Sequence, residues 1–306
     1  MEHLGRESPN DLATIKRILV VGAGAMGSQI ALVCARAGYE VLCHDVAESS
    51  LERARKDLRS RSARDVAKGR RDAGQEAAVF RRLVFGTDLD ALARDVDLVI
   101  EAAVENLDLK RRIFAQLEEV APKHAIFATN SSSFVPSKLA DATSRPDLFC
   151  NIHFFNPALV MKCVEIVAGP ETSAETVELA KAFVVRIGKE PVVLKKEIPG
   201  FIANRILNAV RDEAVFLYEN GVASVDSIDA ACRTALGYPM GPFELMDLTG
   251  IDIGYFTKKA RFAETNDPKD APSRSVTELV ERGDLGRKTG RGWYEYAEDG
   301  TPLGPA

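Results

Sequence analysis

Glycines at the end of an apolar strand constrain this 306-residue chain more than any other feature. Residues 17–27 read RILVVGAGAMG, in which Ile18 to Val21 lead straight into Gly22, Gly24 and Gly27. A helix-like segment, SQIALVCARAG, follows at 28–38, and a second apolar run at 39–44 ends in Asp45. Strand, glycine turn, helix, strand and acid is an order in which each part has a job on a dinucleotide. Gly22 permits the tight turn, Gly24 lets backbone approach a pyrophosphate, and Gly27 lets the helix pack close to the strand. The turn as a whole (Gly22, Gly24, Ala25, Met26 and Gly27) opens a helix whose unpaired N–H groups attract phosphate. Asp45 is placed to accept hydrogen bonds from the adenosine ribose hydroxyls, and its charge repels a 2′-phosphate. The expected cofactor is therefore NAD rather than NADP.

Beyond Asp45 the patterns alternate. Residues 47–71 and 72–82 read as two helical pieces rich in Arg, Lys, Glu, Leu and Ala, a helical insert at about 47–82. Strands are expected at 83–87, 97–103, 125–129, 148–155, 163–169 and 191–195, with helices at 107–120 and 175–187. This alternation predicts an α/β fold, a Rossmann-type doubly wound parallel sheet with helices on both faces. Its span is 16–197, preceded by a flexible extension at 1–15. The character changes at Ile198-Pro199-Gly200, where proline marks a boundary. From 198 to 306 the pattern is read as an all-helical C-terminal domain carrying the substrate site and dimerisation, with the aromatic tail GRKTGRGWYEY as a loop and short strand.

Composition excludes several classes. A net charge of −5 leaves no nucleic-acid footprint. No apolar run reaches the roughly 18 residues that span a bilayer. The first residues are polar and include Glu2, Glu7 and Asp11, which argues against a signal or transit peptide. Five scattered cysteines with no CxxC pair read as reduced thiols of a cytoplasmic protein, and four histidines without ligand spacing give no metal site.

Moving a hydride between an alcohol and NAD requires a base for the hydroxyl proton and a polar grip on the oxygen. Two segments offer these at the carboxyl ends of expected strands. One is TNSSS at 129–133, whose hydroxyls and amide suit a substrate oxygen or serve as a plain turn. The other is NIHFFNP at 151–157. A lone histidine among apolar residues is more often a satisfied core group. His153, however, has Glu165 in the next strand, where a carboxylate can fix the imidazole tautomer.

These segments, together with VEN at 104–106, PGFIANR at 199–205, GYPMGPFELMD at 237–247 and GRKTGRGWY at 286–294, resemble the L-3-hydroxyacyl-CoA dehydrogenases, the bacterial 3-hydroxybutyryl-CoA group most closely. The resemblance runs over about 16–296. It implies NAD-dependent oxidation of a (3S)-3-hydroxyacyl-CoA, of short chain, to the 3-oxoacyl-CoA. In that scheme His153 is the general base, Glu165 its partner, Ser132 a hydroxyl on the substrate oxygen, and Asn204 a member of the same site. It further implies cofactor contacts from Asp45, Glu105, Lys110, Ser132, Asn156 and Lys288, CoA contacts from the insert with Lys68 the best match, and a homodimer. The family's NTSS reads NSSS here, which keeps the hydroxyl, and the serine expected for CoA is replaced by Arg61 between Ser60 and Ser62. Phe154, Met161, Met240 and Phe243 are expected to wall the acyl pocket. The competing readings are a relative acting on a free hydroxy acid or sugar acid, of the gulonate dehydrogenase and lambda-crystallin branch, and a non-catalytic NAD-binding protein on the same fold.

Overall fold

The computed structural model describes residues 15–306, so the extension expected at 1–15 lies almost wholly outside the described residues. The chain divides into two compact units between Ile202 and Ala203, five residues beyond the expected boundary after 197.

The first unit is built on an eight-stranded sheet. Its strands are β1 (Arg17–Val21), β2 (Glu40–His44), β3 (Leu83–Gly86), β4 (Leu98–Glu101), β5 (Ile126–Thr129), β6 (Phe149–Phe154), β7 (Cys163–Ala168) and β8 (Glu190–Leu194). Their spatial order is β3-β2-β1-β4-β5-β6-β7-β8, so the direction of winding reverses between β1 and β4. That is the switch point at which open α/β sheets bind ligands. The helices are α1 (Ala25–Arg36), α2 (Glu48–Ala67), α3 (Ala73–Arg81), α4 (Leu89–Ala93), α5 (Leu107–Val120) and α6 (Ala174–Arg186). Strand residues alternate between two cores, as a sheet covered on both faces requires. Ile18 and Val20 of β1 join a core with Ile30 of α1 and Phe183 of α6, whereas Leu19 and Val21 join one with Phe114 of α5.

One strand pair departs from the all-parallel sheet read in the sequence: β7 runs antiparallel to β6, and β8 follows β7. The connection at 155–162 is too short for a helical crossover, which takes a dozen or more residues, so the chain must turn back on itself. This register sets His153 directly opposite Glu165.

The helical insert is present as α2 and α3. Ser62 of α2 donates to Glu76 of α3 at 2.5 Å, and Arg36 of α1 pairs with the same carboxylate at 2.9 Å. A comparable clamp closes the far end of α5. The Glu118 carboxylate accepts from Ser144 Oγ at 2.5 Å and Arg145 Nε at 2.8 Å, with Lys123 Nζ at 3.1 Å. Burial alone would raise the Glu118 carboxyl, but these three donors bring it down to about 2. A depressed carboxyl stabilises the fold above the ordinary glutamate range and loses that effect as pH falls toward its folded value. The melting-temperature loss caused by Glu118→Gln is therefore expected to be full near neutral pH and to shrink steadily as the pH is lowered from about 4.5 toward 2. A loss independent of pH in thermal melts would remove the ionised clamp.

The second unit contains α7 (Ala203–Glu219), α8 (Val225–Ala235), α9 (Pro242–Thr249), α10 (Ile251–Thr265) and α11 (Arg274–Arg282). It is not all-helical: β9 (Tyr294–Tyr296) pairs antiparallel with β10 (Pro302–Pro305). Aromatic residues bring this hairpin into the helical core, with the Trp293 ring 4.6 Å from that of Phe243. Two buried aspartates organise the packing. Asp229 of α8 accepts from the N–H groups of Phe243 and Glu244 and thereby caps α9, a role its own cap residue Gly241 lacks a side chain to fill. Asp247 accepts from the N–H groups of Trp293 and Tyr294 and from the Tyr296 hydroxyl, each at 2.9 Å.

Candidate active site

The glycine turn has the shape its sequence suggested. Gly22 sits at φ +104°, where a Cβ would press on the Ala102 backbone at 2.7 Å. A Cβ on Gly27 would strike the Gly22 carbonyl. Gly24 differs, because a side chain there would meet nothing within 4 Å. Its open face adjoins the start of α1, which has no capping side chain and no acidic residue in its first turn. The N–H groups of that first turn, including Ala25 and Met26, have no helical acceptor. A bare helix start beside a glycine with free space over it fits a pyrophosphate. Asp45 reaches this turn from the end of β2: one carboxylate oxygen accepts from Ala23 N–H at 2.9 Å and the other from Ala47 N–H at 3.0 Å. Both oxygens retain lone pairs for hydroxyl donors. These residues fit an NAD molecule.

Across the switch point the end of β5 runs into the serine turn, Asn130 to Ser133. The backbone N–H groups of this turn and the Ser131 hydroxyl are all engaged. Glu105 accepts from Ser131 Oγ at 2.5 Å and from the N–H groups of Ser132 at 3.2 Å and Ser133 at 3.0 Å. Burial would raise the Glu105 carboxyl, but the Lys110 ammonium and these donors hold it below its ordinary value. Asn151, fully buried on β6, donates to the carbonyls of Ser131 and Phe134. The Asn130 side chain accepts from Phe154 N–H at 2.8 Å, which ties the turn to the strand carrying His153. The Ser132 hydroxyl makes no hydrogen bond among the described residues, and the side chain is only half-buried.

His153 is 4% exposed, and its Nδ1 lies 2.9 Å from Glu165 Oε2. The other Glu165 oxygen accepts from Ile202 N–H at 2.9 Å. The rings of Phe155 and Phe201 stand edge-on to the imidazole at 4.5 and 5.3 Å. With Nδ1–H directed at a carboxylate, the tautomer that leaves the Nε2 lone pair free is favoured. This is a proton acceptor with its orientation fixed on two sides.

The first unit therefore brings together the glycine turn, Asp45, Glu105, Ser132, His153 and Glu165. Lys110 is placed differently from a surface contact: it is 1% exposed, with its ammonium 2.7 Å from Glu101 and 3.2 Å from Glu105. Asn156 is exposed just past β6, and Lys68 is exposed at the end of α2. Ser62 is committed to Glu76, so of the two serines beside Arg61 only Ser60 faces solvent. Asn204 and Lys288 belong to the second unit, where Lys288 pairs with Asp252 at 2.5 Å. Two of the expected pocket walls are core residues: Phe154 packs with α1 and α6, and Phe243 lies in the centre of the second unit. Both were drawn from motifs whose apolar residues serve packing. Thr129 and Asn130 belong to the TNSSS segment singled out in the sequence, but Glu101 and Asn151 were given no role there. A charged residue closing the apolar strand LVIE, and an asparagine two residues before His153 on the same strand face, were the available signals.

Known proteins bear on this geometry directly. Residues 17–198 match the family described as the NAD binding domain of 3-hydroxyacyl-CoA dehydrogenase, and residues 200–296 match its C-terminal domain. The human mitochondrial hydroxyacyl-coenzyme A dehydrogenase is 40% identical over 289 residues, 92% of this chain and 91% of that protein. The 3-hydroxybutyryl-CoA dehydrogenase of Bradyrhizobium diazoefficiens is 40% identical over 93% of this chain and 96% of its own. The crystal structure of (S)-3-hydroxybutyryl-CoA dehydrogenase from Ralstonia eutropha superimposes with a TM-score of 0.86 at 37% identity, covering 93% of this chain and 100% of that one. With both family domains matched in order along one chain, the protein belongs to the 3-hydroxyacyl-CoA dehydrogenase family.

Proposed function

We propose that this protein oxidises (3S)-3-hydroxyacyl-CoA thioesters of short chain, reversibly, with NAD. The observation that carries the reading is the His153–Glu165 pair, tied through Phe154 and Asn130 to a serine turn on which the half-buried Ser132 hydroxyl is uncommitted, with His153 and the turn at the carboxyl ends of β6 and β5. NAD held at the glycine turn and Asp45 would supply the hydride acceptor for the 3-carbon. His153 Nε2 takes the 3-hydroxyl proton, and Glu165 stabilises the imidazolium that results. Ser132 donates to the 3-oxygen as it becomes a carbonyl. Asn204 and Lys288 are assigned to the site on the family's motifs alone. Lys68, Ser60 and the arginines of α2 present a basic face suited to the CoA phosphates.

The test is NADH oxidation with acetoacetyl-CoA, run beside free acetoacetate and repeated with NADPH. Fast turnover of the thioester with NADH alone is the expected result. Activity on the free acid instead would favour the hydroxy-acid branch and remove the CoA assignment.

Asp45 sets the cofactor. Hydrogen bonds to a charged group are worth about 1.5–3 kcal/mol, so Asp45→Ala should raise KM for NAD on the order of tenfold or more. The same variant should admit NADPH, since the repelling charge is gone. An unchanged NADH-to-NADPH preference would show that another residue selects the cofactor.

A homodimer is part of the reading. Helix α10 buries only Ile251, and Ile206 and Phe216 of α7 and Ile253 and Phe256 of α10 are each more than half exposed. Apolar surface of this kind marks an interface, and the mass in solution checks it. The reading also places the protein in the cytoplasm, supported by five unpaired cysteines. No helix among the described residues is long and apolar enough to cross a membrane.

A further inference from the structure

The floor of the switch point holds a carboxylate that none of the roles above uses. Glu101 ends β4 with no exposed surface. Its Oε1 accepts from Lys110 Nζ at 2.7 Å and from Ala103 N–H at 2.7 Å. Its Oε2 accepts from the Thr129 hydroxyl at 2.7 Å and from Lys110 at 3.0 Å. A carboxyl group with no exposed surface is tolerated only when its lone pairs are filled in this way.

Two arms lead from this group to the same place. Through Thr129, whose Oγ1 accepts from Ser131 N–H at 3.1 Å, it reaches the underside of the serine turn. Through Lys110 and Glu105 it reaches the upper side, where Glu105 gathers Ser131 Oγ and the N–H groups of Ser132 and Ser133. The turn is gripped from two directions by a chain that starts at one buried residue, and the hydroxyl of Ser132 projects from it uncommitted.

We propose that Glu101 is a positioning residue that fixes the Ser131–Ser133 turn, and so the Ser132 hydroxyl, through Thr129 on one side and Lys110–Glu105 on the other. This rests on the dehydrogenase reading for its kinetic consequence but not for its structural one. Lys110 accordingly acts on the reaction through Glu105. A group that must meet a developing carbonyl within tenths of an ångström loses much of its value when its support loosens.

The experiment uses the full chain with Glu101→Gln, alone and combined with Ser132→Ala. Displacement of a positioned group costs on the order of 10²-fold, so kcat with acetoacetyl-CoA should fall by about that factor. In the Ser132→Ala background the same substitution should cost only a few-fold, since coupled residues are not additive. Amide hydrogen exchange at Ser131, Ser132 and Ser133 should quicken in Glu101→Gln. Equal losses in both backgrounds, or unchanged exchange at the three amides, overturns the proposal. If Glu101→Gln does not fold, Thr129→Val cuts one arm at nearly constant shape and must quicken exchange at Ser131. If the wild-type chain leaves acetoacetyl-CoA untouched, the functional reading fails by itself, and the exchange measurement still decides whether Glu101 holds the turn.

Discussion

Replacing His153 with glutamine is expected to lower kcat by roughly 10²–10⁴-fold, the range a positioned general base contributes. Glutamine keeps a polar group near Glu165 but has no side-chain atom able to take a proton near neutral pH. The glycine turn and Asp45 stand on β1 and β2, on the far side of the switch point from β6, so the dissociation constant for NAD should hardly move. The pair of readouts matters, because a fall in both would report a damaged fold rather than a lost base. Near-normal turnover in His153→Gln would take the base role away from this residue.

Asp247→Ala should cost the second unit much of its stability. The carboxylate is 1% exposed and accepts three hydrogen bonds from Trp293, Tyr294 and Tyr296. Each buried donor left without an acceptor costs about 1–3 kcal/mol, so about 3 kcal/mol or more should be lost. For a unit of this size that corresponds to a fall of about 10 °C or more in its melting temperature. The neighbouring backbone shows how closely the site is built, for a Cβ on Gly286 or Gly292 would collide with Asp247 itself. Asp247→Asn keeps the shape and one acceptor oxygen, so it should fall between the wild type and alanine. A melting curve for Asp247→Ala that overlays the wild type would show that these hydrogen bonds carry no net stability.

Much of the first unit can be read from spacing because its signals are local. Helix α5 occupies the 107–120 expected from its periodicity, and the strand–turn–helix around Gly22, Gly24 and Gly27 depends on residues within a dozen positions of one another. Three elements were not anticipated. Helix α4 is only five residues long and has no period to detect. Helix α11 does carry a signal, in Val276, Leu279 and Val280, and follows a proline- and charge-rich stretch that reads as loop. Strand β10, PLGP, has none of the branched or aromatic residues that mark a strand and is held by pairing with β9. The buried carboxylates were the least legible. Glu101, Asp229 and Asp247 look like ordinary charged residues until their donors, up to 65 positions away, are brought beside them.

By itself the sequence determined the dinucleotide turn with its acid, the alternation that builds the sheet, the change of character near residue 198, and the family. Each is written in contiguous residues or in short motifs whose meaning does not depend on distant neighbours. Tertiary structure alone decided the antiparallel return of β7 that sets Glu165 opposite His153, the seating of Lys110 beneath Glu105, and the grip on the serine turn. Those depend on strand register and on which polar groups are closed off from water together, and both are properties of residues that meet only when the chain has folded.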